Sequence, residues 1–407
     1  MKPKILPSDR VLFVVTLALV CFGLVMVFDS SYPHGAAFYN DGWYFAKRHT
    51  GAALLGILAM LVLSHIHYAR LRTVAFLGYA LSLWLLSVVA VSGNAALGGQ
   101  RWIGWGWFQV QPSELAKPAL ILFSAVALRK WPMIATSFWP FATFCLVAGI
   151  PIVLTERQPD LGTAVTMALG LLGILSVAGT RLRFLAAATA FAAVLIGGMM
   201  LLPSRHGGES SDPNPGNFRL KRIEALADPG KARFGAGLQN WHSYVALANG
   251  GWAGVGFTNS MEKRVGGVPM QRTDFIFAIV GEEFGLLGTV IVLTLFVMIA
   301  VRGYGIACRC RDPFGQYLAV GITTGVVGQA ALNIAVVTGL VPVTGVPLPF
   351  ISYGGSALIT GLASIGILLG ISRVPFRPER GESTEMEPGK SSSQRRSVDI
   401  MERLGVR

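Results

Sequence analysis

The run Arg272-Thr273-Asp274-Phe275-Ile276-Phe277-Ala278-Ile279-Val280-Gly281-Glu282-Glu283-Phe284-Gly285 sets an acidic residue at the mouth of an apolar stretch that continues to Ala300. Asp274 stands where a long polar segment meets hydrocarbon. A charge in or near lipid is expensive, so an ionisable residue there is a functional candidate by default. Asp274 is therefore the catalytic candidate of the chain. The structural alternative is capping, because Thr273-Asp274 is good helix-start chemistry and a negative charge suits that end of the dipole. Residue type and position leave both open. Glu282 and Glu283 lie roughly 12 to 13.5 Å further along the helix, too deep to be a partner base. They read as structural or coupling residues, of which one needs a cation or hydroxyl partner.

Other polar groups sit at similar mouths. Gln111-Pro112-Ser113-Glu114-Leu115-Ala116-Lys117 opens an apolar run. Proline, serine and glutamate are ordinary start signals. Lys117, one turn in, must either snorkel outward or pair with Glu114, its i,i+3 neighbour, and an inward cation there would suit a pyrophosphate. Asp160, in Gln158-Pro159-Asp160-Leu161-Gly162-Thr163, is best accounted for as the cap of the apolar helix that follows.

These groups require a membrane scaffold. The 407 residues are 53% hydrophobic and only 14% charged, with a mean hydropathy of +0.56, too apolar for a soluble chain of this size. Spans are predicted at Val11 to Phe28, Gly51 to Ser64, Val74 to Val91, Leu115 to Leu128, Phe138 to Leu154, Leu161 to Ala178, Phe184 to Leu202, Phe275 to Val301, Tyr317 to Val341 and Ile351 to Ile371. The expected fold is an all-α polytopic membrane protein of about ten transmembrane helices, with a large extracytoplasmic loop, 203–273, between the seventh and eighth. The short second and fourth runs must borrow flanking residues such as His49, His65, Pro112 and Ser113. The first run, long and without a convincing cleavage site, reads as an uncleaved helix.

Lysine and arginine set the orientation. Lys2, Lys4, Arg10, Arg70, Arg72, Arg129, Lys130, Arg181, Arg183, Arg302, Arg309 and Arg311 fall on one side of this arrangement, which places both termini in the cytoplasm. The basic outer segment does not count against this, because long loops translocate largely regardless of charge. The net charge of +13 suits anionic membrane lipid. No aromatic-basic module accompanies it, so nucleic acid is not expected as a partner. No CxxC or HExxH spacing occurs, and the glycines near Gly254 and the Gly389-Lys390-Ser391 triplet lack the context of a nucleotide loop, so no nucleotide cofactor is expected.

The outer loops carry further signals. Asp29 to Arg48, with Tyr32, Trp43 and Tyr44, reads as an interfacial aromatic belt, as do Trp102, Trp105 and Trp107 in the next outer loop. Arg219 to Leu226 reads as a short basic helix on the membrane surface. Pro342 to Ser356, with three prolines and Gly354-Gly355, predicts irregular backbone at membrane depth, tolerated only where protein or a polar cavity covers it. Gly321/Gly325 and Gly366/Gly370 read as close helix contacts. Residues 374–407 have the composition of a disordered cytoplasmic tail, leaving 1–373 as the transmembrane domain.

Gln100-Arg101-Trp102, Gln111 to Lys117, Gln158 to Thr163, Thr273 to Ala278, Gly281 to Gly285 and Pro347 to Ser356 together resemble the SEDS proteins of shape, elongation, division and sporulation. The motifs span nearly the whole chain in order. Asn259-Ser260-Met261-Glu262-Lys263 is more similar to the division branch, FtsW, than to the elongation branch, RodA. The family usually carries Pro-Glu-x-His before Thr-Asp, whereas Pro269-Met270-Gln271-Arg272 stands here, and His242-Ser243 replaces a usual Gln-Ser.

The resemblance implies a peptidoglycan glycosyltransferase of the inner membrane, acting at the septum. It would polymerise lipid II into a glycan strand at the outer face, with inversion at the anomeric carbon and Asp274 as base. Arg101, Gln111, Ser113, Glu114, Lys117, Asp160, His242, Ser243, Lys263, Arg264, Arg272, Thr273, Ser352, Gly354, Gly355 and Ser356 are then the expected substrate-binding residues. Lys117, Lys263, Arg264 and Arg272 are the cations available to the pyrophosphate. A divalent cation, Mg2+ or Mn2+, is implied without a motif to hold it. A class B penicillin-binding protein and other divisome proteins are the implied partners. Two other readings stay open: a transporter of the lipid-linked precursor, and a non-catalytic scaffold for the transpeptidase.

Overall fold

The computed structural model describes residues 8–92, 94–96, 99–105, 108–158, 160–201, 226, 237–265 and 272–373. Its long helices are α1 (Arg10–Tyr39), α2 (Tyr44–His65), α3 (Leu71–Ser92), α4 (Pro112–Lys130), α6 (Phe138–Arg157), α7 (Leu161–Val177), α8 (Leu182–Leu201), α11 (Ile276–Arg309), α12 (Pro313–Val337) and α13 (Gly355–Ser372). Shorter ones are α5 (Met133–Thr136), α9 (Leu238–Gly250) and α10 (Met261–Val265). Among the described residues seven helical segments are long and apolar enough to cross a membrane. Two of the others fall short for physical reasons: α4 carries Glu114, Lys117, Arg129 and Lys130, and α7 has 17 residues. Leu54, Leu58, Leu77 and Leu287 lie exposed on α2, α3 and α11, as lipid-facing side chains do where the solvent is hydrocarbon.

The flanks of the two short runs are helical, with His49 and His65 inside α2 and Pro112 and Ser113 opening α4. The first helix corrects the expected boundary. It runs on through Asp29-Ser30-Ser31 to Tyr39, so most of the supposed outer loop is α1 or the start of α2. Asp29 is tolerated there because it is ion-paired, and Ser31 donates to the Val27 carbonyl one turn back at 2.6 Å.

The tryptophan-rich connection between α3 and α4 is also more ordered than expected. It forms an antiparallel sheet of β1 (Asn94–Ala96), β2 (Gly99–Trp105) and β3 (Phe108–Val110), ordered β1-β2-β3, with Ile103 opposite Val110. Gly98-Gly99 and Gly104 to Trp107 were the available turn signals. The expected basic helix at Arg219 to Leu226 lies outside the described residues except for helical Leu226, and 374–407 lies wholly outside them.

Close helix contacts form at glycines. α13 lies along α2, and a Cβ on Gly366 would stand 2.5 Å from the Met60 carbonyl oxygen. Gly321 of α12 admits Ile174 and Ile121 in the same way. Residues 341–354 are irregular, yet Val343, Thr344, Val346, Leu348, Phe350 and Ile351 are buried against the helices. This is the covered, non-helical backbone that the prolines predicted.

Candidate active site

Asp274 lies half-buried in the turn that precedes α11. The helix cap itself is Phe275, so Asp274 stands one position outside the cap. Three successive carbonyls hold this turn. Tyr353 N–H donates to Arg272 O at 2.9 Å, Ser352 Oγ donates to Thr273 O at 2.5 Å, and Asn333 Nδ2 donates to Asp274 O at 2.7 Å. The carboxylate rests beside Gly345, where an added Cβ would be 3.5 Å from Oδ2.

The same loop and α12 help to line a neighbouring cavity, largely apolar with a few polar groups. Lys117 Nζ lies 2.7 Å from Glu114 Oε2 and donates to Gln329 Oε1 at 2.7 Å. Gln329 Nε2 donates to Pro347 O, and Asn333, one turn on, donates to Val346 O. Lys117 therefore turns inward and pairs with Glu114. With Thr166, Gln329, Ser352 and Thr360, this pair lines a cavity of about 60 Å³, room for a few polar atoms. Ser352 belongs to both settings, facing the cavity and holding Thr273.

A third group stands at the start of α7. Asp160 Oδ1 accepts from Thr163 N–H at 3.2 Å, the expected cap, while its Oδ2 accepts from Gln111 Nε2 at 2.7 Å and Ser113 Oγ at 3.4 Å. Ser356 Oγ joins this side by accepting from Gln111 N–H and donating to Gln109 O. Arg101 Nε donates to Gln158 O at 3.0 Å. Gly354 and Gly355 form the start of α13, and Gly355 lies near Ala52.

The remaining sequence candidates divide. Arg272 sits over the Phe45 ring at 4.2 Å, beside Tyr353. Burial lowers its pKa from the ordinary value, with Tyr353 and Tyr39 opposing; a guanidinium remains charged at neutral pH. Ser243 is buried and donates to Asn240 O and Val337 O, a helix contact. His242 Nδ1 lies 2.7 Å from Glu262 Oε2. Lys263 is buried between Asp29 and Glu283, which occupy its ammonium. Arg264 lies on α10. Both deep glutamates have partners, Glu283 with Lys263 and Glu282 with Ser260.

Gln329 and Asn333 were missed in the sequence. Their signal was an i,i+4 pair of amides in an apolar helix, which lie on one face and need partners. No three His, Cys, Asp or Glu side chains converge on a metal-sized site among the described residues. Among the described residues the side chains form no such three-ligand cradle for the implied divalent cation.

The arrangement is that of a polytopic membrane protein with an acidic residue in the turn before a long apolar helix and an ion pair on a neighbouring cavity. The cell-cycle protein family of FtsW, RodA and SpoVE matches residues 9–375, and the chain belongs to this family. A probable peptidoglycan glycosyltransferase FtsW of Geobacter metallireducens is 38% identical over 369 residues, 89% of this chain and 94% of that protein. Stage V sporulation protein E of Bacillus subtilis is 36% identical, covering 92% and 99%. Among solved structures, a chain described under structural coordination of polymerization and crosslinking by a peptidoglycan synthase complex is 28% identical with a TM-score of 0.72, covering 90% of this chain and 98% of that one. Rod shape determining protein RodA of Thermus thermophilus is 25% identical with a TM-score of 0.66, covering 91% and 98%.

Proposed function

We propose that this protein is a peptidoglycan glycosyltransferase that polymerises lipid II into glycan strands, with Asp274 as general base. The observation that carries the proposal is the clamp on Arg272, Thr273 and Asp274, whose successive carbonyls are held by Tyr353, Ser352 and Asn333. A base fixed by its own backbone is pre-organised, and correct placement of reacting groups removes much of a transfer barrier. Asp274 takes the proton of the acceptor sugar hydroxyl as that oxygen attacks the donor's anomeric carbon, and the lipid pyrophosphate leaves. Inversion follows from a single in-line displacement.

Negative charge develops on the leaving pyrophosphate, and fixed cations stabilise it. Lys117 and Arg272 suit this role, Lys117 by its place on the cavity and Arg272 by its nearness in sequence to the base. Lys263, already held by two carboxylates, is assigned elsewhere. A divalent cation taking part would enter with the pyrophosphate, and no step is assigned to it.

The names of the relatives support the glycosyltransferase reading, and FtsW among them supports the division branch and a septal location. The synthase complex, which coordinates polymerization and crosslinking, supports a penicillin-binding protein as partner; its class B identity and the other divisome proteins rest on the family resemblance alone. We assign about ten spans and both termini to the cytoplasm on the lysine and arginine distribution, which leaves Asp274 at the outer face.

The test is glycan polymerisation from labelled lipid II by the purified protein with its transpeptidase partner, comparing wild type with Asp274→Asn. Polymer from wild type alone supports the base. Equal polymer from both removes Asp274 from catalysis. Lipid II crossing empty vesicles, or full growth on Asp274→Ala, would instead favour transport or scaffolding.

A further inference from the structure

Lys263 was expected among the phosphate-binding cations, yet its side chain is 4% exposed and faces away from that task. Its Nζ donates to Asp29 Oδ1 and Oδ2, both at 2.6 Å, and to Glu283 Oε1 at 2.9 Å. Three separate parts of the chain meet there: α1, the short helix α10, and α11. Beside it Ser260 Oγ donates to Glu282, whose Oε1 also accepts from Met261 N–H at 3.1 Å, and Lys263 N–H returns to Ser260 Oγ at 3.0 Å.

These bonds tie α1 and α10 to the first turns of α11, the helix that Asp274 immediately precedes. The carbonyls of residues 272–274 are held from the other side by Tyr353, Ser352 and Asn333. On the glycosyltransferase reading above, we infer that Lys263 is a positioning residue: with Asp29 and Glu283 it clamps the start of α11 and so sets where the general base stands. Two carboxylates on one ammonium make the clamp tight, because removing the cation leaves buried negative charges facing each other. The clamp also gives α1 a reason to run on as helix through Asp29, since that extension delivers the second carboxylate.

Lys263→Met is the direct variant, and Lys263→Met with Glu283→Gln is its companion, relieving one uncompensated carboxylate should the single change prevent folding. Two quantities are read in whichever variant folds: steady-state polymerisation of labelled lipid II, and deuterium exchange in peptides covering 257–283, with the inner half of α11 as internal reference. The clamp predicts kcat lower by about tenfold or more, since misplacing a reacting group costs at least that. It predicts KM for lipid II within about twofold of wild type, because no substrate contact is lost. It also predicts faster exchange at 261–265 and 272–283 with the reference unchanged. A raised KM at normal kcat would mean that Lys263 holds substrate, and would overturn the inference. So would wild-type exchange at 261–265 and 272–283. A wild-type protein that makes no polymer would sink the glycosyltransferase reading, while the exchange measurement still decides the clamp.

Discussion

Asn333 Nδ2 bridges the carbonyl of Asp274 and that of Val346, both at 2.7 Å. One amide on α12 thus fastens the candidate base to the irregular loop. Asn333→Ala leaves two carbonyls short of a donor, at a cost of about 1–3 kcal/mol. Polymerisation should fall by about tenfold or more, with KM for lipid II little changed. Thermal unfolding and steady-state kinetics check both.

Asp274→Asn keeps the shape of the side chain and removes the base. Polymerisation from labelled lipid II should drop by about 10²–10⁴-fold, while pull-down of the transpeptidase partner stays at wild-type level. Retained polymerisation would show that the proton leaves by another route.

Lys117→Met strands Glu114, which is 3% exposed in its side chain. The single variant should be destabilised by roughly 3 kcal/mol, the lower end for a broken buried pair because Lys117 is partly exposed. Adding Glu114→Gln should recover part of that stability, and neither variant should polymerise. Detergent-phase thermal unfolding separates the two effects, and equal stability of the variants would argue against a buried pair.

Gly285 interrupts α11 at φ 64° and ψ −159°, a region open essentially to glycine alone. A Cβ there would also stand 2.4 Å from the Gly254 nitrogen, where residues 251–257 dock on the helix. Gly285→Ala should cost roughly 1–3 kcal/mol and speed proteolysis at 251–257. A variant as stable and resistant as wild type would show that this docking is dispensable.

What the sequence determined by itself is what acts within a turn or two of helix. Apolar runs located most of the helices, although α1 outruns its apolar stretch. The i,i+3 spacing of Glu114 and Lys117 offered their pair as one of two outcomes, and Asp160 before Leu161 predicted a cap. The prolines of 342–349 predicted irregular backbone. These outcomes depend on neighbours along the chain, and periodicity or spacing records them. Tertiary structure alone decided the rest. A buried lysine announces only that it needs a carboxylate; that Lys263 finds Asp29, 234 positions away, is settled by which helices pack together. Gln329 and Asn333 likewise needed partners, and only folding brought the loop carbonyls to them. The turn at 272–275, with Phe275 rather than Asp274 at the helix cap, is likewise set by the loop and helix that hold its carbonyls.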